Sequence, residues 1–482
     1  MKAVILLGFW VMTSLSGFAQ PVDSLWSRMY GGTGGEICTA VKQTADGGFI
    51  LVGRTNFSDT DIDAWLVKTN SSGEVEWTHT QGGTGSERAN DVVERAGGGY
   101  AITGETDSYV GFQNVHFGAV SAQGELTNFN YFGGSGYDVG HDLESTTDGG
   151  FVIAGVTTSY GAGLSDFWLI KINGFGAEQW SQTFGGEAYE ICHAVRQVSG
   201  GGYALAGSTD GFGAGGQDVW LVRTNASGQI LWNRTYGYAT EDEAYDIIQT
   251  SDGGFALLGH TQNGLNGERD FYFIKTDANG NLEWQQAYGG WGDDYGRSVQ
   301  QTSDGGYILA GKTLSFGSGS EDMWLVRLNS WGWVEWSRTF GGTNYDDCES
   351  VDITSDAGFI LGGITGSFGA GNNQMWLVRT GPDPTLGTDE YFPIARNFSL
   401  HPIYPNPFNN TANIRFDLPR EVTGRLVVYD VLGREMKTLF DGRFTSGSHS
   451  LQLNADNFSS GTYFVRMETP TFSATQKAVL LK

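Results

Sequence analysis

Seven polar residues recur in this chain at intervals of 51 or 52 positions, and almost all differ: Thr39, Asn90, His141, His193, Tyr245, Arg297 and Glu349. Imidazole, phenol, guanidinium and carboxylate groups donate, accept or carry protons and orient hydroxylated ligands. Packing would not require such variety; an asymmetric pocket would. The plainer alternative is a solvent-filled mouth, where side chains vary freely. On the pocket reading Asn90, His141, His193, Tyr245, Arg297 and Glu349 bind a ligand. If a reaction occurs there, His141, His193, Tyr245, Arg297 and Glu349 are the groups to carry it.

Three positions earlier every copy is acidic: Glu36, Glu87, Asp138, Glu190, Asp242, Asp294 and Asp346. Each follows a glycine-rich connection such as "YGGTGGE" or "YGGWGDD". A carboxylate placed there can accept backbone N–H groups in its own turn. The alternative is a carboxylate ring at a channel mouth, relieved by a cation or by raised pKa values. A feature present in every copy fits the turn role better than a single ligand.

The column between these two holds Cys38, Ala89, Gly140, Cys192, Ala244, Gly296 and Cys348. It selects small residues, so the cysteines read as small buried hydrophobes. Cys38 and Cys348 would meet across a ring closure, but a bond needs Cα atoms within about 7 Å. The carboxylates of "DTDID", Asp59, Asp61 and Asp63, suit Ca²⁺, yet the segment lacks the glycine and distal glutamate of a complete calcium loop. A solvated loop is the simpler reading, and no other cofactor is expected. The chain contains no nucleophile elbow, H-E-x-x-H or phosphate loop.

These columns belong to a longer repeat. "TSDGGFALLGHT" (250–261) has close copies ending at Thr55, Thr157, Thr313 and Thr365, with looser ones at "AGGGYAITGET" and "SGGGYALAGST". Its aromatic residue falls at Phe49, Tyr100, Phe151, Tyr203, Phe255, Tyr307 and Phe359, giving seven units. This period predicts an all-β, seven-bladed propeller with four short strands per blade. In the first blade they are 39–44, 49–55, 63–70 and 74–80, joined by Asp-Gly and Asn-x-x-Gly turns. The last unit lacks its outer strand, and "SLWSRMYGG" precedes the first. The N-terminal strand is therefore expected to complete blade 7 and remove free sheet edges.

Two aromatic columns run through the units: Trp65, His116, Trp168, Trp220, Tyr272, Trp324, Trp376, and Trp26, Trp77, Asn128, Trp180, Trp232, Trp284, Trp336. The G-x-x-x-W phrase (Gly73 to Trp77, Gly280 to Trp284) resembles the tryptophan motif of pyrroloquinoline-quinone-type propellers. That resemblance implies packing between blades. The family's vicinal cysteine pair is absent here, which weakens an enzymatic reading. Blade 2 loses both aromatics together, at His116 and Asn128, which are expected to face each other across one hairpin.

Met1–Ala19 has the basic start, short apolar run and small-x-small ending of a signal peptide. No later segment is apolar enough to span a membrane as a helix. The net charge of −26 is concentrated before Asn397, because the last 86 residues carry +2. Such acidity disfavours nucleic acid and anionic lipid.

After the repeats (21–380) the period breaks in a linker, 381–398, rich in proline and charge. Residues 399–482 read as a small Ig-like β-sandwich. Tyr404-Pro405-Asn406-Pro407-Phe408-Asn409, Leu432-Gly433-Arg434, Gly461-Thr462-Tyr463-Phe464 and Lys477-Ala478-Val479-Leu480-Leu481-Lys482 closely resemble the type A C-terminal sorting domain of type IX secretion cargo. The resemblance implies export by that translocon, with release or attachment to surface lipopolysaccharide. Tyr404, Pro405, Asn406, Pro407, Phe408, Gly433 and Lys477 would carry the signal. The sequence as a whole points to a noncatalytic secreted or cell-surface propeller that binds glycan, protein or matrix. The alternative is a polysaccharide lyase or hydrolase working at the channel mouth.

Overall fold

The computed structural model describes residues 23–385, apart from 33, 59–60, 109–111, 264–267 and 370–372. It also describes 399–482, apart from 401–402, 404–405, 419–421, 445–446, 456 and 471. The signal segment, Asp59, Tyr404 and Pro405 lie outside the described residues.

Seven four-stranded antiparallel sheets follow one another along the first unit. First strands of consecutive sheets contact each other round the whole series, including the last (Asp346–Ile353) against the first (Ile37–Gln43). The chain is thus a closed seven-bladed propeller with the first strands about its axis. Ser24–Tyr30 pairs antiparallel with Gln374–Pro382, so the N-terminal strand is the outer strand of blade 7. Asp383 lies beyond Thr380, where the sequence places the start of the linker. It is buried, and accepts hydrogen bonds from Arg327 Nε at 2.6 Å and Trp336 Nε1 at 3.2 Å.

The repeated phrase has a physical cause. In blade 5, Thr250 donates to Asp252 at 2.5 Å, and Asp252 accepts the Gly254 N–H at 2.9 Å. Lys275, rising from the third strand, ion-pairs with Asp252 at 2.9 Å and donates to the Thr276 carbonyl. Blades 1 and 3 repeat this with Asp46–Lys68 and Asp148–Lys171, and blades 6 and 7 with Asp304–Arg327 and Asp356–Arg379. The turn of each such blade is fastened to its own third strand.

The outer tryptophans pack on the next blade: Trp26 on Phe49, Trp77 on Tyr100, Trp180 on Tyr203, Trp232 on Phe255, Trp284 on Tyr307 and Trp336 on Phe359, with ring centroids 5.8–6.3 Å apart. The G-x-x-x-W glycine lies under the preceding blade's indole. At Gly73 φ is +76°, and a Cβ would stand 2.8 Å from the Trp26 ring. Blade 2 departs from expectation. His116 pairs with Tyr131 and Asn128 with Ala119, so the two substituted residues are not opposite each other. Phe117 takes the lost indole's place against Phe151, at 5.4 Å, and the third strand of blade 2 is buried throughout.

The second unit is a sandwich of two sheets. One contains Ser399–Leu400, Thr411–Leu418 and Gly447–Asn454; the other contains Val422–Asp430, Glu435–Phe444, Gly461–Glu468 and Ser473–Leu480. Ile414, Phe416, Leu426, Val428, Val465 and Leu480 lie in its core. Among the described residues no helix is long and apolar enough to cross a membrane.

Candidate functional site at the channel mouth

Every first strand carries one register shift, and the residue it displaces is the variable one. The shift falls between Cys38 and Ala40, Ala89 and Asp91, Gly140 and Asp142, Cys192 and Ala194, Ala244 and Asp246, Gly296 and Ser298, and Cys348 and Ser350. A bulge leaves its residue out of the ladder and re-aims the side chain. Here it does so seven times around one axis.

These side chains divide into two sets. In blades 1–3 each donates to the small-column carbonyl of the next blade. Thr39 donates to the Ala89 carbonyl at 2.7 Å, Asn90 to that of Gly140 at 2.8 Å, and His141 Nδ1 stands 2.7 Å from that of Cys192. In blades 4–7 side chain meets side chain. His193 Nε2 lies 2.8 Å from Glu243, and the Tyr245 hydroxyl donates to the same carboxylate at 2.8 Å. The His193 ring stacks between His141 at 4.9 Å and Tyr245 at 4.6 Å. The Arg297 guanidinium covers Tyr245 at 4.2 Å and reaches Glu349 at 3.5 Å. The structure thus brings His141, His193, Tyr245, Arg297 and Glu349 into one continuous stack, and ties Asn90 to the backbone.

Further groups join the stack that the column reasoning missed. One position before the small column the chain reads Ile37, Arg88, Val139, Ile191, then Glu243, Tyr295 and Asp347. This turn from mostly apolar to polar in blades 5–7 was the available signal. Second strands add His260, paired in register with Glu243, and Lys312, paired with Tyr295. The Lys312 ammonium sits 5.1 Å from the Tyr295 ring and 5.5 Å from that of Tyr345, and bonds Glu321 at 3.2 Å. His260 Nδ1 and Asp347 Oδ1 are buried without a hydrogen-bond partner among the described residues. A buried unpaired polar atom costs about 1–3 kcal/mol, which a ligand group can relieve.

Electrostatics sharpen the asymmetry. Burial, with Asp347 adding to it against the opposing pull of Arg297, pushes the Glu349 carboxyl up to about 7. Burial alone would raise Glu243, but the hydrogen bond from His193 and its neighbours hold it at about 2. Burial lowers His141 and His260 to about 4, so both rings are neutral near pH 7. Burial and the Glu243 charge push the Tyr245 hydroxyl upward, which keeps it a donor.

The acidic column performs the turn role. Glu36, Glu87, Asp138, Glu190, Asp242, Asp294 and Asp346 are all buried. Each accepts the N–H of the residue four positions earlier, from Gly32 to Glu36 at 3.3 Å through Gly342 to Asp346 at 2.8 Å. Second-strand threonines add bonds, Thr157 to Asp138 at 2.5 Å among them. These carboxylates serve their own connections and form no open ring. The three cysteines are free and buried. Among the described residues no group of three His, Cys, Asp or Glu side chains is placed to hold a metal. The calcium expectation at Asp59, Asp61 and Asp63 involves side chains largely outside the described set. Deeper along the axis Arg196 joins Asp142 at 2.5 Å to Asp246 at 2.7 Å, tying blades 3, 4 and 5.

In the second unit Phe408 is buried and pairs with the last strand. Its N–H donates to the Val479 carbonyl, and Asn406 bonds the Lys477 carbonyl and the Val479 N–H at 2.7 Å each. Gly433 closes a separate turn on Asp430, with φ +76°. Asn406 and Phe408 thus hold the segment before the first long strand against the backbone of Lys477 and Val479.

Residues 402–481 match the secretion system C-terminal sorting domain family. The second unit is therefore a type IX sorting domain. The chain is exported by that system to the cell surface or the exterior. A 205-residue stretch is 24% identical to the regulatory protein FlaEY of Caulobacter vibrioides, over 39% of this chain. The match spans only 20% of that protein's length. The β-propeller domain of the Trilobed protease from Pyrococcus furiosus is similar at 9% identity and TM-score 0.42, over 71% of this chain and 95% of its own. The Neurospora crassa Pan2 WD40 domain is similar at 11% and 0.44, over 72% and 89%. The propeller assignment itself rests on strand order and ring closure.

Proposed function

We propose that the propeller is a noncatalytic recognition module, displayed outside the cell, whose site is the polar stack of blades 4–7. The single observation that carries this is the pairing of convergent bulge side chains with two buried, unpartnered atoms, His260 Nδ1 and Asp347 Oδ1. Stacked rings beside donors and acceptors of both charges suit a hydroxyl-rich, uncharged ligand, so a glycan is the first candidate, ahead of protein or matrix. The surrounding acidity disfavours anionic ligands.

A second reading has one observation of its own. A buried carboxyl near 7, Glu349, is what a general acid acting on a glycosidic bond needs. Against it, the imidazole of His193 and the hydroxyl of Tyr245 are both engaged on Glu243. Screening the full chain against polysaccharides while following both binding and released product separates the two. Binding without product is expected; released product, lost in Glu349→Gln, would overturn the noncatalytic reading.

A further inference from the structure

Away from the axis, an open groove of about 580 Å³ runs between the outer strands of blades 2 and 3. That volume lies within the range of small-molecule sites. Its walls include Tyr131, Tyr160 and Trp168, with Glu178, Ser181 and Gln182 as polar neighbours.

The outer strand of blade 2 (Leu126–Phe132) is the one that leaves the repeat. Tyr131 stands where the other blades carry Thr80, Thr183, Thr235, Ala287, Thr339 and Met29. Phe129 stands where they carry Thr78, Ser181, Asn233, Gln285, Ser337 and Ser27, and it stacks on His116 at 5.7 Å. Asn128 replaces the tryptophan and donates to the Phe175 carbonyl in the neighbouring turn. Phe129 packs on the buried His116, but core packing does not ask for the exposed ring of Tyr131, because Phe117 already replaces the indole on the inner side.

Two rings that line the groove are exposed. Tyr131 is 46% exposed and Tyr160 48%. Tyr160 is fixed, its hydroxyl donating to the Gly133 carbonyl at 2.8 Å and its ring tilted on Trp168 at 5.4 Å. On the blade 3 wall the lining runs from Glu178 to Thr183, which at about 3.3 Å per residue offers roughly 16 Å of length.

We propose that this groove binds a chain of neutral sugars, independently of the channel mouth. Apolar sugar faces would lie on Tyr131 and Tyr160, and hydroxyls would bond Glu178, Ser181 and Gln182. Among the described residues the lining holds one carboxylate and no cation, which disfavours uronate or sulfated chains. A folded protein partner would need far more than one narrow cleft.

The test titrates the full chain with cellohexaose, maltohexaose and N-acetylchitohexaose, with hexagalacturonate as the anionic control, following tryptophan fluorescence and heat. At least one neutral hexaose should bind. Tyr131→Ala, on an exposed edge strand, should raise its Kd at least tenfold and Tyr131→Phe should change it less than threefold, and both effects should persist in an Arg297→Ala background that disables the mouth. Binding that ignores Tyr131→Ala and disappears in Arg297→Ala would overturn the groove and leave the mouth reading standing. Absence of binding to every neutral hexaose, or tighter binding of hexagalacturonate, would also overturn it.

Discussion

At the scale of single residues, the turn aspartate with its lysine or arginine recurs in five blades. Lys275 is 4% exposed and has Asp252, Glu283 and the Thr276 carbonyl as partners. Removing Asp252 strips the turn of a side-chain acceptor and leaves a buried ammonium with one carboxylate fewer. Asp252→Ala should therefore cost about 1–3 kcal/mol in urea unfolding; an unchanged midpoint would contradict the account. Blade 4 shows how the molecule manages without the pair: Gly200 stands at the aspartate's position, and Arg223 donates to the Gly201 and Thr224 carbonyls instead.

At the scale of elements, closure depends on one N-terminal strand. Ser24–Tyr30 supplies the outer ladder of blade 7, and Trp26 packs on Phe49 of blade 1. Deleting residues 23–31 would expose the edge of Gln374–Pro382 and leave Phe49 uncovered, and free edges invite association. Calorimetry should show a lowered and broadened transition, and light scattering should show concentration-dependent oligomers. A monomer that melts where the intact chain does would contradict the closure argument. The strand period, the turns and this closing strand were legible in the sequence, because glycine and alternation mark them directly. The bulge was not. No special residue type marks Thr39 or Tyr245 as displaced from the ladder, although every copy shares the shift. His116 and Asn128 are not opposite because the two aromatic columns lie three ladder positions apart in the outer hairpin: His116 pairs with Tyr131 and Asn128 with Ala119. Half of the stack was hidden because Glu243 and Asp347 sit in a column that is mostly apolar elsewhere, while His260 and Lys312 share theirs with Arg54, Glu105, Val156, Ser208 and Ile364, which follow no single pattern. Ring curvature, not sequence spacing, brings them together.

At the scale of the whole molecule, burial of charge sets the response to pH. Burial pushes Asp166, Asp242 and Asp294 up to about 6, and Glu144 and Glu349 up to about 7. In the unfolded chain these groups titrate near 4, so the folded state holds extra protons between about pH 4 and 7, and stability falls as pH rises through that window. Buried His116, His141 and His260, lowered to about 4, act in the opposite direction below about 6.5. The five carboxyls outweigh the three imidazoles, and relief of the −26 net charge adds to them. Tm should therefore be higher at pH 5 than at pH 8. Glu349→Gln should shrink that difference, and a Tm that climbs steadily to pH 8 would contradict the assignment.

The most direct measurement compares Arg297→Ala and Asp347→Asn with Asn90→Ala for a ligand found in the polysaccharide screen. All three residues belong to the axial columns, but only the first two belong to the stack of blades 4–7. The account predicts at least a tenfold loss of affinity for the first two, and less than a twofold change for Asn90→Ala. Equal effects at all three positions, or none at Asp347, would contradict a recognition site at the mouth.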